Sequence, residues 1–540
     1  MKNLIQTAQR ALKAGTSEKG VDLLCQAVRK DTLNSQLIIT AVMLLKDHGE
    51  YDAAFTILQQ YVGAGGTQPE VLEIMALLSM DLRVYDVAIK LLDILIEKAP
   101  SIPHHYVNYC DCLVKLGRTD EAIQLLQNLL PQMPDASALW NTLATILSEE
   151  IGDKAAAEPF YQEAYRLDPE NFNLVNNLGN YYSGSPKCYE YYEKAISIEP
   201  DNPLPRIGLA TRMFLDERWC FAYPHYEYRL TPNQGIAKTP TYEHPGNIWT
   251  GESLRGKSIL VMAEQGLGDE LFFALNYRRL CVETDKVVIS CDPRLTGVFE
   301  RSFPSATIIS YQDRLNGAVR HRSFPHFDTH SPTDYAVHAG SLMQYFWRMP
   351  DNVAPLLRPL LLPSPQKAAA MSKVMNNNSK NINIGLSWRS GNQKGERKGG
   401  YLDIETYAPL LTLEGISFYS LQYDLTDEER VEIETRFPQI QIFDGVDLKA
   451  DIEANLAIMA NLDLIIGPGT ATQMLAILSG RPTCYLVKGM PWWASWRLRR
   501  DGPYFAPHCT WHYFLHDDWW HAVRDNILSL HSPKKQQAVS

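Results

Sequence analysis

The sequence predicts an α-helical repeat array followed by an α/β half built on parallel sheets, and three observations carry that reading. A small residue recurs every 34 or 35 positions through the first part of the chain. Short apolar runs alternate with helical patterns through the rest, and a turn-rich stretch, TPNQGIAKTPTYEHPGN at 231–247, separates the two. A fixed period of this length marks stacked helix pairs, and strands alternating with helices mark parallel sheets covered by helices.

Gly20, Ala54, Ala88, Ala122 and Ala157 are spaced 34, 34, 34 and 35, and Ala222 continues the series two periods on. Gly15, Gly49, Gly117 and Gly152 stand five positions ahead of four of these, and Pro100, Pro134, Pro169 and Pro200 close the units. One helix pair cannot bury its own apolar face, so neighbours supply the core and the small residue lets the second helix press on the first. About six units are expected over 1–230, the fifth shortened to a spacing of about 31. Asn108, Thr142 and Asn177 fall at equivalent places on the inner face of the first helices. There they can grip an extended peptide backbone or simply meet solvent.

Beyond the connector at 231–247, the apolar runs SILVMA, KVVIS, ATIIS, INIGLSW, ISFYSLQ, IQIF, LDLIIG and PTCYLV read as buried strands. The alternation breaks at PSPQKAAAMSKVMNNNSK, 363–380, which predicts two Rossmann-like domains facing a cleft, at 248–375 and 381–530, with a tail at 531–540. Ligands of such sheets bind beyond the carboxyl ends of the strands.

Bulk properties narrow the function classes. At 540 residues the chain exceeds one hydrophobic core, and its 45% apolar and 21% charged composition is that of an ordinary globular protein. No uncharged apolar stretch of about 18 residues is present to span a bilayer, and MKNLIQTAQRALKAG lacks the pattern of a secretory signal. Cytoplasmic location without stable membrane insertion is the expectation. A net charge of −11 repels polyanions, so nucleic acid is not an expected partner. The nine cysteines are scattered without a CxxC pair and read as reduced structural thiols; no Cys/His cluster or HExxH predicts a metal.

Three stretches can carry chemistry. EQGLGDE, 264–270, follows a strand; Gly266 and Gly268 allow a sharp turn and close approach of a ligand, and Asp269 can cap a helix or accept a proton from a hydroxyl. GLSWRSGNQKGERKGG, 385–400, concentrates Arg389, Lys394, Arg397 and Lys398, which either neutralise phosphate or form a solvated basic loop. In LDLIIGPGTATQM, 462–474, a strand runs through Gly467 and Gly469 into Thr470, Thr472 and Gln473, and the free amides of that helix start suit a phosphate or a plain capped turn. The absence of GxxxxGK[ST] and DxD argues against a P-loop enzyme and a metal-dependent nucleotide-sugar enzyme. His338, in YAVHAGSL, reads as a loop histidine with either a structural role or that of a reserve base; MPWWASWRLRRDGPYF, 490–505, reads as packing or as part of a donor site.

The run YPHYEYRL, WTGESLRGKSILVMAEQGLGDELFFA, INIGLSWRSGN, SFYSLQ and LDLIIGPGTATQMLAILSGRPT resembles bacterial tetratricopeptide-repeat proteins with a C-terminal glycosyltransferase region. That region is related to heptosyltransferases and more distantly to protein O-GlcNAc transferases. The resemblance implies a metal-independent GT-B glycosyltransferase, with the acceptor on the first Rossmann-like domain and a nucleotide-sugar co-substrate, but no cofactor, on the second. It implies Asp269 as catalytic base with His338 in reserve. For the donor it implies Gly266, Gly268, Ser387, Arg389, Lys394, Gln422, Gly469, Thr470, Thr472 and Gln473, with Asn108 and Asn177 on the acceptor. GPGTATQM departs from the Asp-Thr and following His of heptosyltransferases, which argues against a heptose donor. Flagellin-modifying enzymes with N-terminal repeats are more similar, and they imply a protein acceptor such as flagellin and a CMP-linked nonulosonic acid. The alternatives are a surface-glycan enzyme and a non-catalytic scaffold that binds nucleotide.

Overall fold

The computed structural model describes residues 2–14, 16–231, 240–242, 247–316, 319–324, 333–348, 355–375, 381–391, 401–487, 503, 505–513 and 519–530. The chain divides into two compact units. One holds 1–209, 228–241 and 313–322, the other 210–227, 242–312 and 323–540.

The first unit is a run of helix pairs: α1 (Lys2–Lys13) with α2 (Ser17–Arg29), α3 (Ser35–Asp47) with α4 (Tyr51–Gly63), and α5 (Pro69–Asp81) with α6 (Tyr85–Lys98). Next come α7 (Pro103–Lys115) with α8 (Thr119–Leu129), α9 (Ser137–Thr145) with α10 (Lys154–Leu167), and α11 (Phe172–Tyr181) with α12 (Cys188–Ile198). The fourth residue of the second helix is Gly20, Ala54, Ala88, Ala122 and Ala157 in the first five pairs, all buried. A Cβ on Gly20 would lie 2.5 Å from Leu12 Cγ, so the small residue is required by the facing helix. In the sixth pair Tyr191 takes that place, and the glycine moves to the first helix, where a Cβ on Gly179 would lie 2.5 Å from the Tyr192 ring. The missing beat in the sequence series is a tyrosine in place of the small residue, stacked on the Tyr182 ring with centroids 5.5 Å apart.

The glycines five positions earlier close the first helices in the left-handed conformation, with φ of 76° at Gly49, 79° at Gly117 and 81° at Gly152. Arg83 holds the equivalent place in the third pair at φ 62°, and Gly15 lies outside the described residues. The count differs from expectation. Six pairs precede α13 (Pro203–Leu215) and α14 (Trp219–Tyr226), and the short unit is the sixth pair, 31 residues from Phe172 to Pro203. The 35-residue step from Thr119 to Lys154 also has a local cause: residues Ile146–Ile151 form a π-helical turn that absorbs the extra residue.

In the second unit a five-stranded parallel sheet runs β2-β8-β3-β4-β5, where β1 is Thr241–Tyr242, β2 Asn247–Ile248, β3 Ile259–Met262, β4 Val287–Cys291 and β5 Thr307–Ser310. β6 (Gln312–Asn316) and β7 (Val319–Ser323), whose residues 313–322 belong to the first unit, precede β8 (Tyr335–His338) in the chain. A six-stranded parallel sheet runs β11-β10-β9-β12-β13-β14, with β9 Ile382–Leu386, β10 Ile416–Ser420, β11 Ile440–Gln441, β12 Leu464–Pro468, β13 Thr483–Val487 and β14 Cys509–Tyr513. The helices are α15 (Leu267–Phe273), α16 (Tyr277–Glu283), α17 (Thr296–Ser302), α18 (Met343–Phe346) and α19 (Pro365–Val374). They continue as α20 (Ala408–Leu411), α21 (Asp427–Arg436), α22 (Ile452–Met459), α23 (Ala471–Leu478) and α24 (Trp519–Leu530).

All eight expected strands form, because strands buried on both faces of a parallel sheet show as continuous apolar runs. The segment expected to end the first domain behaves differently: α19 packs on α22, and Asn461 donates to the Ala368 carbonyl at 2.9 Å, so this helix covers the six-stranded sheet's side. Among the described residues no helix is long and apolar enough to cross a membrane.

Candidate functional site

Both sheets have a switch point, where successive connections leave a central strand in opposite directions. In the first sheet it lies between β3 and β8, and in the second between β9 and β12. Crevices open at the carboxyl ends of such strands. The chemistry-bearing stretches sit at these two places.

At the first, β3 ends beside β8 with Met262 opposite His338. His338 therefore closes a strand; the loop expected from its sequence is a correction, since YAVH is too short and mixed to announce a buried strand. Gly266 is the N-cap of α15, at φ −143°, and Asp269 stands in the first turn of that helix. A Cβ on Gly266 would lie 3.5 Å from Asp269 Oδ2, and one on Gly268 would meet nothing within 4 Å. Neither glycine has positive φ, so neither is required by a left-handed turn.

Three groups unread in the sequence shape this end. Glu264, buried, accepts from the Gly340 amide at 2.8 Å and so ties the β3 exit to the β8 exit. Glu270, 1% exposed, accepts from the Tyr311 hydroxyl at 2.7 Å and the Asp292 amide at 2.8 Å. Tyr242, inside the supposed connector, donates to the Ala263 carbonyl and lies edge-on to His338 with ring centroids 5.2 Å apart. Burial, with Glu270 adding to it, pushes the Tyr277 phenol well above its ordinary value.

At the second switch point, Leu386 is opposite Ile466; Ser387 leaves β9 there, while Gly467 continues β12 opposite Tyr485 of β13. Gln473, fully buried in the first turn of α23, donates through Nε2 to Ser387 Oγ at 3.0 Å. Its Oε1 and the Thr470 hydroxyl are buried and make no hydrogen bond, while Thr470 is the helix N-cap without a capping bond. Thr472 is buried in the same turn. The glycines here are steric: a Cβ on Gly467 would lie 2.0 Å from Gln473 Nε2, and one on Gly469 2.2 Å from Tyr485 Oη. Helix α15 packs against α23, bringing the two ends together.

Two expected donor contacts are spoken for. Arg389 donates through Nε to Glu429 Oε1 at 2.6 Å, through Nη2 to Glu429 Oε2, and through Nη2 to the Asp424 carbonyl at 2.7 Å. The hydrogen bonds that Arg389 donates to Glu429 hold the guanidinium's pKa above its ordinary value. Gln422 Oε1 accepts from the Trp388 and Arg389 amides, each at 3.0 Å, and its Nε2 donates to the Tyr423 carbonyl at 2.8 Å. Both side chains therefore help to fix the exit of β9. Lys394, like Arg397, Lys398 and most of the 490–505 aromatic stretch, lies outside the described residues. No group of three or more potential metal ligands occurs among the described residues.

In the first unit, Asn108, Thr142 and Asn177 line one groove of about 440 Å³, as their equivalent repeat positions predict. Asn177 Nδ2 donates to Asn141 Oδ1 and Thr145 Oγ1, both at 3.2 Å, which links amides of successive repeats. Residues 83–146 and 137–171 each match a model of the tetratricopeptide repeat.

The helical array is a tetratricopeptide-repeat array.

Two solved tetratricopeptide-repeat proteins are similar to part of the chain. One from Thermus thermophilus is 19% identical, covering 33% of this chain and 98% of its own, with a TM-score of 0.29. One from Parabacteroides merdae is 16% identical, covering 44% and 95%, with a TM-score of 0.34. Over 397 residues the chain is 30% identical to Protein FlbA of Caulobacter vibrioides, across 71% of this chain and 66% of FlbA. The aligned part is just under two thirds of that relative, and it is longer than the helical half here, so the likeness runs into the α/β half.

Proposed function

We propose that the protein is a metal-independent glycosyltransferase of GT-B type that moves a sugar from a nucleotide-sugar to a Ser or Thr hydroxyl of a protein selected by the repeat array. The observation that carries this reading is the pairing of two switch-point ends: a carboxylate, Asp269, in the first turn of α15 on one, and on the other a helix start with two buried oxygens, Thr470 Oγ1 and Gln473 Oε1, that bond nothing within the chain.

The chemistry follows from those groups. Asp269 takes the hydroxyl proton as the acceptor oxygen bonds to the anomeric carbon. The bond from that carbon to the nucleotide phosphate breaks, and its electron pair leaves on the phosphate oxygen. The free amides and positive end of the α23 dipole stabilise that charge, with the Thr470 hydroxyl as an added donor. Gln473 Oε1 accepts from a hydroxyl of the sugar or nucleoside, and Ser387 holds its amide in place. The resemblance points to a CMP-linked nonulosonic acid as donor and a flagellin-like protein as acceptor.

The test is incubation of the purified protein with a panel of nucleotide-sugars, with and without candidate acceptor proteins, while free nucleotide is measured. Acceptor-dependent release of one nucleotide supports the reading. A protein that binds nucleotide, by thermal shift, but releases none across the panel is the scaffold of the alternative reading.

A further inference from the structure

The tetratricopeptide groove carries a charge pattern in addition to its amides. Beside Asn141 and Asn177, its walls include Asp111, Glu149 and Glu150 against a single lysine, Lys115. That lysine is paired with Asp111 at 3.8 Å, and Glu149 and Glu150 line the same groove. Both are exposed, and both lie in the π-helical turn Ile146–Ile151. π-turns cluster at functional positions because the inserted residue widens the turn and redirects side chains. Here the insertion is the reason the repeat step is 35 residues from Thr119 to Lys154, whereas the preceding steps from Ser17 to Thr119 are each 34.

A second observation points into the same groove. Ser137, on its wall, is only 8% exposed, and its buried hydroxyl makes no hydrogen bond within the chain. A buried hydroxyl left without a partner costs free energy unless something in the groove pairs with it.

We infer that this groove selects an extended protein segment carrying lysine or arginine, with the amides of Asn141 and Asn177 and the Ser137 hydroxyl holding its backbone and Glu149 and Glu150 reading its cationic side chain. The inference rests on the reading of the array as the acceptor-binding part. Charge across a groove of this kind sets specificity more than total affinity, because misplaced like charge is penalised where the backbone contacts are unchanged.

The experiment uses the full-length protein and three fluorescent Gly/Ser/Thr peptides that differ only in carrying paired lysines, paired glutamates or no charge. Anisotropy at low salt should show the lysine peptide binding about tenfold more tightly than the glutamate peptide, with the preference shrinking as salt rises. Glu149→Gln with Glu150→Gln, two exposed substitutions that keep side-chain shape, should erase that preference and leave the neutral peptide's affinity unchanged. Equal binding of lysine and glutamate peptides, or a preference that survives the double substitution, overturns the inference while leaving the array's peptide binding intact. Failure of all three peptides to bind overturns the array reading itself, and this inference with it.

Discussion

Gln473 donates through Nε2 to Ser387 Oγ at 3.0 Å, joining the first turn of α23 to the residue that leaves β9. The bond spans 86 positions of sequence and fixes a fully buried side chain whose remaining oxygen has no partner. Replacing Gln473 by Leu keeps the volume and removes both the bond and the acceptor. Affinity for the donor nucleotide should fall about tenfold or more, the cost of leaving a polar ligand group unpaired, and calorimetry reads it directly. An unchanged Kd would remove Gln473 from the site.

The glycines of the two stretches should separate in effect. Gly467→Ala puts a methyl 2.6 Å from the Ser387 carbonyl oxygen, a backbone atom that cannot swing away, and should destabilise the protein by about 1–3 kcal/mol in chemical denaturation. Gly268→Ala meets nothing within 4 Å and should leave stability within about 0.5 kcal/mol.

Arg389 and Glu429 make a positioning pair, with side-chain exposures of 9% and 18%. Burial alone would push the Glu429 carboxyl up, but hydrogen bonds from Arg389, the Thr426 amide and the Trp388 indole outweigh it and hold the carboxyl below its ordinary value. A depressed carboxyl contributes stability that is full above its unfolded value, about pH 4.3, and is lost as pH falls through the lower folded value. Glu429→Gln should therefore reduce stability at neutral pH and flatten its fall below about pH 4.3, read as Tm against pH. An acid profile identical to that of the parent protein would show that the pair contributes nothing.

Arg83 holds a left-handed backbone at φ 62° where three sister repeats use glycine. Its side chain is exposed, so Arg83→Gly relieves the strain without loss of packing and should stabilise the array by up to about 1 kcal/mol, seen as a higher Tm. A lower Tm would mean that the added freedom of glycine in the unfolded chain outweighs the strain.

The parts visible in the sequence were those governed by local period. The array showed through its small residues, and the groove residues Asn108, Thr142 and Asn177 through their equal repeat positions, because each repeat solves the same packing problem. Buried parallel strands showed as apolar runs. β8 and β14 did not, since YAVH and CTWHY mix polar and apolar residues and depend on neighbours far along the chain. The same non-locality hid the site's real partners. Nothing near Arg389 announces Glu429, 40 positions on, and nothing in a proline-rich connector marks Tyr242 as the residue beside His338.

The central claim is that Asp269 serves as the base of a transferase. Its most direct measurement is turnover of Asp269→Asn, an isosteric change, in full-length protein with the donor that releases nucleotide and a protein acceptor. The account predicts a fall in kcat of about a hundredfold or more, with donor-induced thermal stabilisation retained, because the proton acceptor is lost and the phosphate end is untouched. Unchanged turnover in Asp269→Asn, with activity abolished instead by His338→Ala, would contradict it.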